Sequence, residues 1–206
     1  MLFIYGDSHG RISFKGLPIP VTNCSINSVT MFRIGRDNMI INYNKTHDTE
    51  NSTHCLVYGE IDCRCHIHKQ VHMMGRNEDD VIHELVHTYF RTLKNSITVS
   101  KRVIVVGVIP PTKRIDYESK HGPLEEGFPF PFLGTDEERV RYTRKVNRLI
   151  EELCQCDGYA YFNPYAPYTS DDGTLRYELS DTFVHVGDNT AIVEQFMCLY
   201  EERGWA

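Results

Sequence analysis

The sequence predicts an α/β fold of three layers, and three observations carry that prediction. Short apolar runs rich in strand formers recur along its 206 residues, and amphipathic segments of helical period separate them. One run, VIVVGVI at 103–109, is apolar at every residue save Gly107, as a strand covered on both faces of a parallel sheet must be. Parallel strands need crossover connections, which place the helices on the sheet's two faces.

The elements follow in order. LFIY at 2–5 is a strand that breaks at once into GDSHG, the residues of a sharp turn. MIINY at 39–43 and HCLVYGEI at 54–61 read as further strands. Glu78 to Leu93 is a helix, because Val81, Ile82, Leu85, Val86, Tyr89, Phe90 and Leu93 form one stripe. RVIVVGVIP at 102–110 is the buried strand. The next segment, about 111–134, carries several Pro and Gly, and a loop of that length reads as a flap near a site. A helix then opens at Thr135, where TDEE forms an N-terminal cap, and runs to about Cys154. GYAYFN at 158–163 is a short strand, and a last helix spans about Asn189 to Arg203. Residues 1–206 read as one domain, without repeats or low-complexity tracts.

Composition narrows the function. The chain is 41% hydrophobic and 24% charged with a net charge of −6, which offers no basic footprint for nucleic acid. No apolar run approaches a membrane span, and the first residues read as a core strand with no basic leader. Seven cysteines, odd in number and scattered, suit reduced thiols in a cytoplasmic protein. The sequons at Asn44 and Asn51 are then idle.

Active residues of such sheets gather at the carboxyl ends of the strands. Three pieces sit at such positions or beside them: Gly6-Asp7-Ser8-His9, then Tyr58-Gly59-Glu60-Ile61-Asp62-Cys63-Arg64, then Ser180-Asp181-Thr182-Phe183-Val184-His185. A serine hydroxyl is a weak nucleophile until an imidazole takes its proton and an acid orients that imidazole. Backbone amides at strand ends can hold the developing oxyanion. A plainer reading makes Asp7 or Ser8 a helix cap. These three pieces resemble, in the expected order, the motifs of the SGNH (GDSL-like) hydrolases. That resemblance implies a flavodoxin-like α/β/α sandwich, with Ser8 as nucleophile, His185 as general base and Asp181 as orienting acid. It also implies the backbone N–H groups of Ser8 and Gly59 as oxyanion donors.

Two departures stand out. The family's Gly-x-Asn-Asp block reads Gly59-Glu60-Ile61-Asp62, so its Asn donor is absent. Its Asp-x-x-His block is one residue longer, with Thr182 in the usual place of the acid. Asn27 or Arg64 are the candidates to replace the missing donor, and Gly35 or the Ser28 backbone to supply the family's second glycine. Asp62 reads equally as a site residue or as a carboxylate holding backbone N–H groups. Arg64 reads as an anchor for a polar substrate group or as one half of a buried ion pair with Glu60 or Asp7.

Metal patterns are weaker. His83-Glu84-Leu85-Val86-His87 matches H-E-x-x-H, but the buried stripe of its helix leaves these side chains on the flank, and no third ligand follows. Cys63, Cys65, His66, His68 and His72 offer soft ligands, with Cys154 and Cys156 as a second pair, yet C-x-C is poor zinc spacing. No metal or other cofactor enters the expected chemistry. The partner is a small-molecule or glycan acyl ester, with aromatic residues at 158–173 and 128–132 available to stack on sugar. The competing class is a catalytically degenerate module that binds a glycan or a protein.

Overall fold

A computed structural model describes residues 1–37, 43–125, 127 and 129–205. Five parallel strands form one sheet: β1 (Leu2–Gly6), β2 (Val21–Asn23), β3 (Thr53–Val57), β4 (Arg102–Val106) and β5 (Ala160–Phe162), in spatial order β2-β1-β3-β4-β5. This is the flavodoxin-like order, whose direction of winding reverses between β1 and β3. The register pairs Gly6 with Val57, so the chain leaves both strands side by side at that reversal.

Strand side chains alternate between two cores. Tyr5, Leu56, Val103 and Val105 face a cluster built with α2 (Met31–Arg36), α3 (Glu78–Ser96) and α5 (Asp136–Asp157). Leu2, Ile4, Cys55, Ile104 and Val106 face the other, with Phe14, Tyr168, Val186 and α7 (Thr190–Glu202). The three-layer α/β/α architecture is therefore as expected. The α3 stripe is buried from Val81 to Leu93, and Thr135 caps α5 in a reciprocal box with Glu138. Among the described residues no helix is long and apolar enough to cross a membrane.

Several elements differ from the reading above. β3 ends at Val57 and β4 at Val106, short of their apolar runs, because the chain turns away to build the site. Of the 39–43 strand only Tyr43 lies within the described residues. The 111–134 segment contains a helix, α4 (Arg114–His121), with no buried residue and hence no hydrophobic period to read. β2 and α2 carry only three and six residues. Asp62–His66 and Lys69–Met73 form two π-helical turns, a rare form that tends to occur at functional sites.

Candidate active site

Ser8 opens the short helix α1 (Ser8–Ile12) directly after β1, with Asp7 as its N-cap accepting a hydrogen bond from the His9 N–H at 2.8 Å. The hydroxyl thus stands at the carboxyl edge of the sheet, half-buried. From 177 residues further on, His185 brings its Nε2 to 2.8 Å from Ser8 Oγ. On the opposite side of that ring Nδ1 lies 2.7 Å from Asp181 Oδ2. The other carboxylate oxygen accepts the backbone N–H groups of Phe183 at 2.9 Å and His185 at 3.1 Å. Although burial works the other way, these donors hold the Asp181 carboxyl below its ordinary range.

The longer Asp…His spacing is absorbed in the backbone. Thr182 has φ of 68°, a left-handed conformation that branched residues rarely adopt. An antiparallel bridge between Ser180 and Val186 closes the loop. Thr182 N–H donates to Ser180 Oγ at 3.1 Å within this turn, and the imidazole still meets the carboxylate. The 111–134 segment backs this loop: His121, at the end of α4, bonds the Thr182 carbonyl at 2.8 Å and stacks on Phe183 at 4.0 Å. No sequence signal marked His121 or Phe183.

Beneath the triad lies a buried charged cluster. The His9 ring sits 4.6 Å from that of His185, and its Nε2 is 3.5 Å from Glu60. Burial alone would depress His9, but the Asp7 and Glu60 carboxylates overcome it and hold the ring above its usual value. Arg64 grips Glu60 through two nitrogens at 2.7 and 3.2 Å and donates to the Phe130 carbonyl. Glu60, despite burial, is drawn down to about 2 by Arg64 and His9. Burial pushes Asp7 upward.

Three of the expected site residues therefore have other work. Arg64 is not a substrate anchor: it is 5% exposed and committed to Glu60, with the Phe132 ring beneath it. Asp62, with no exposure, accepts the N–H groups of Met31 at 2.8 Å and Phe32 at 3.2 Å, and so satisfies the first turn of α2 beside its N-cap Thr30. It also pairs with His66 at 3.2 Å, whose imidazole the carboxylate pushes up to about 10. Asp7 caps α1 from a buried position.

Gly59 lies in the turn after β3. Its φ is +117°, and a Cβ there would come within 2.8 Å of Val108 Cγ2, so only glycine fits this turn. Ile61, in the place of the family's asparagine, is buried core. Gly35 is interior to α2 and packs on Thr88, which removes it as a donor. Ser28 takes a left-handed φ of 66° in the loop after β2. Asn27, its neighbour, is exposed and makes no hydrogen bond with a described residue. The N–H of Ile26 ties this loop to the Gly6 carbonyl at 2.9 Å, beside the strand that delivers Ser8.

The aromatic segments serve packing. Tyr165 donates to the Gly173 carbonyl, Tyr168 accepts the Ile192 N–H, and Phe132 is buried under two arginines. Cys63, Cys65 and Cys154 are buried and form no disulfide, and the two Cys pairs form no metal cluster among the described residues. His83 and His87 lie ring to ring at 3.9 Å, while the intervening Glu84 pairs with Arg76.

No protein-family model matches this sequence, and no curated protein does either. Its shape does have solved relatives. A candidate platelet activating factor of Streptococcus pneumonia superposes with a TM-score of 0.63 at 13% identity, over 96% of this chain and 82% of that one. A GDSL-like lipase of Bacteroides thetaiotaomicron gives a TM-score of 0.60 at 13% identity, covering 98% and 88%. The fold is that of the SGNH (GDSL-like) hydrolases. A candidate acylhydrolase of Bacteroides fragilis adds a third likeness, with a TM-score of 0.57 at 13% identity over 100% and 88%. Within this SGNH fold Ser8 and Gly59 follow β1 and β3, on the two sides of the point where the sheet's winding reverses.

Proposed function

We propose that this chain is a serine-dependent acyl ester hydrolase or O-acyltransferase that acts on small or carbohydrate-borne acyl groups. The observation that carries the proposal is the unbroken path Ser8 Oγ–His185–Asp181, at 2.8 and 2.7 Å. In it, His185 Nε2 takes the hydroxyl proton as Ser8 Oγ attacks the acyl carbon. Asp181, fixed by two backbone donors, keeps the other proton on Nδ1 and stabilises the imidazolium. The tetrahedral oxyanion is received by the N–H groups of Ser8 and Gly59, with the Asn27 side chain in place of the missing donor. The leaving alkoxide takes the proton back from His185. Water or a sugar hydroxyl then attacks the acyl-serine by the same path in reverse.

Near the triad the Phe183 ring, stacked on His121 on one side, is 46% exposed and offers a sugar an aromatic face. The likeness to proteins described as lipases and acylhydrolases supports ester chemistry in general. The test is hydrolysis of p-nitrophenyl acetate by the wild type and Ser8→Ala. The variant is expected to lose turnover with its melting temperature unchanged. Equal rates in the two proteins would refute the proposal.

A further inference from the structure

One group of metal-ligating side chains gathers away from the triad among the described residues: His68, His72 and Glu138, whose donor atoms all lie within 4.8 Å of one another. His68, just before the second π-helical turn, and His72 within it are four residues apart, and their rings stack at 4.1 Å. Glu138 comes from the first turn of α5, 66 positions beyond His72. Its Oε1 is 3.1 Å from His72 Nε2 and its Oε2 is 3.7 Å from His68 Nδ1.

The carboxylate is held in place, because Oε2 also accepts the Thr135 N–H of the capping box at 2.8 Å. The space between the ligands is kept open by Gly134, where a Cβ would fall 2.5 Å from His68 Nδ1 and 2.7 Å from Glu138 Oε2. Tyr142 OH lies 3.4 Å from the same His68 Nδ1, a contact that a bound ion would displace. Arg141 reaches Glu138 only at 4.0 Å and is engaged by Glu78 at 2.9 Å. His72 is half exposed, so solvent reaches the group from one side.

Ligands at zinc's usual bond lengths around a tetrahedron sit about 3.3 Å apart. His72 Nε2 lies 3.1 Å from Glu138 Oε1 and His68 Nδ1 lies 3.7 Å from Oε2, and with all donor atoms within 4.8 Å of one another rotation of the side chains brings them to that spacing around one ion. Two imidazoles with one carboxylate select a borderline transition ion over calcium or magnesium. We propose that His68, His72 and Glu138 bind one such divalent ion, zinc as the probe, with water at the fourth position. The ion would fasten the chain after Gly59 to the end of the 111–134 segment, where Leu133 N–H already donates to the Arg64 carbonyl at 3.1 Å. This site stands independently of the esterase proposal.

The test is zinc content per chain after equilibration of the metal-free protein with Zn²⁺ and desalting, alongside the visible spectrum of the Co²⁺ form. One ion per chain is expected, with cobalt bands that lack a thiolate charge-transfer component. His72→Ala and Glu138→Gln should each weaken zinc binding by at least about tenfold, the lower bound for losing even an outer partner of a metal. Glu138→Gln keeps an acceptor for Thr135 N–H, so the cap and the fold survive in at least one of the two variants. His83→Ala/His87→Ala should bind as the wild type does. Stoichiometry well below one, a thiolate band, or undiminished binding in His72→Ala and Glu138→Gln would overturn the proposal.

Discussion

Replacing Asp181 by Asn tests the proposed triad with little change in shape. In the wild type, one carboxylate oxygen accepts two backbone N–H groups, at 2.9 and 3.1 Å, and the other accepts His185 Nδ1–H at 2.7 Å. An asparagine must choose. If its oxygen faced the ring, its NH₂ would oppose two backbone donors, losing two hydrogen bonds worth about 1 kcal/mol each. The preferred rotamer keeps the oxygen on the loop and turns NH₂ toward Nδ1, so the ring's proton must move to Nε2. That nitrogen then donates to Ser8 and no longer accepts its proton. The expected loss in kcat is roughly 10³–10⁴-fold, about 4–5.5 kcal/mol of barrier. The assay is p-nitrophenyl acetate turnover as a function of pH, with melting temperature as the control for folding. Activity within threefold of wild type, at unchanged stability, would refute the triad reasoning.

Further predictions concern the residues that hold the site. Arg64→Met leaves buried Glu60 with His9 as its remaining partner and should cost about 3 kcal/mol, seen as a melting point lower by roughly 6–12 °C; Arg64→Met/Glu60→Gln should recover much of it. A substrate anchor at Arg64 would instead raise KM at constant stability. Asp62→Ala leaves the Met31 and Phe32 N–H groups without their acceptor while the Thr30 N-cap of α2 remains, and should cost about 2 kcal/mol, or roughly 4–8 °C in thermal unfolding; a shift under 1 °C would contradict this role. The His66–Asp62 pair raises a histidine pKa in the folded state, to about 10. Its stabilisation is complete below the unfolded value near 6.5 and is lost as pH rises toward 10. Urea midpoints should therefore fall between pH 6.5 and 10 in the wild type and vary less in His66→Asn; parallel pH profiles would exclude the linkage.

How far the sequence reaches depends on the range of the interactions that decide each feature. The α3 stripe, the Thr135 capping box and the unbroken apolar run of β4 are local and were legible as they stand. Ser8, Asp181 and His185 were legible because each lies on a short turn with a distinct composition, although their contact spans 177 residues. Asp62 and Arg64 were not resolved, because a carboxylate reads alike whether it meets substrate or the amides of a helix 30 residues earlier. The exposed helix α4 buries no side chain and leaves no period. The three-residue β2 is too short to show alternation. His68 and His72 showed as possible ligands, but their partner Glu138 lies across the fold in a helix cap, where its capping role fully accounts for it.

The central claim is that Ser8 is an activated nucleophile, and covalent labelling measures it most directly. A fluorophosphonate should add once to the wild-type chain, at Ser8 by peptide mass, and should fail to add to Ser8→Ala and react far more slowly with His185→Ala. An unlabelled wild type, or label retained in Ser8→Ala, would contradict the account and point to a module that binds acylated ligands without turning them over.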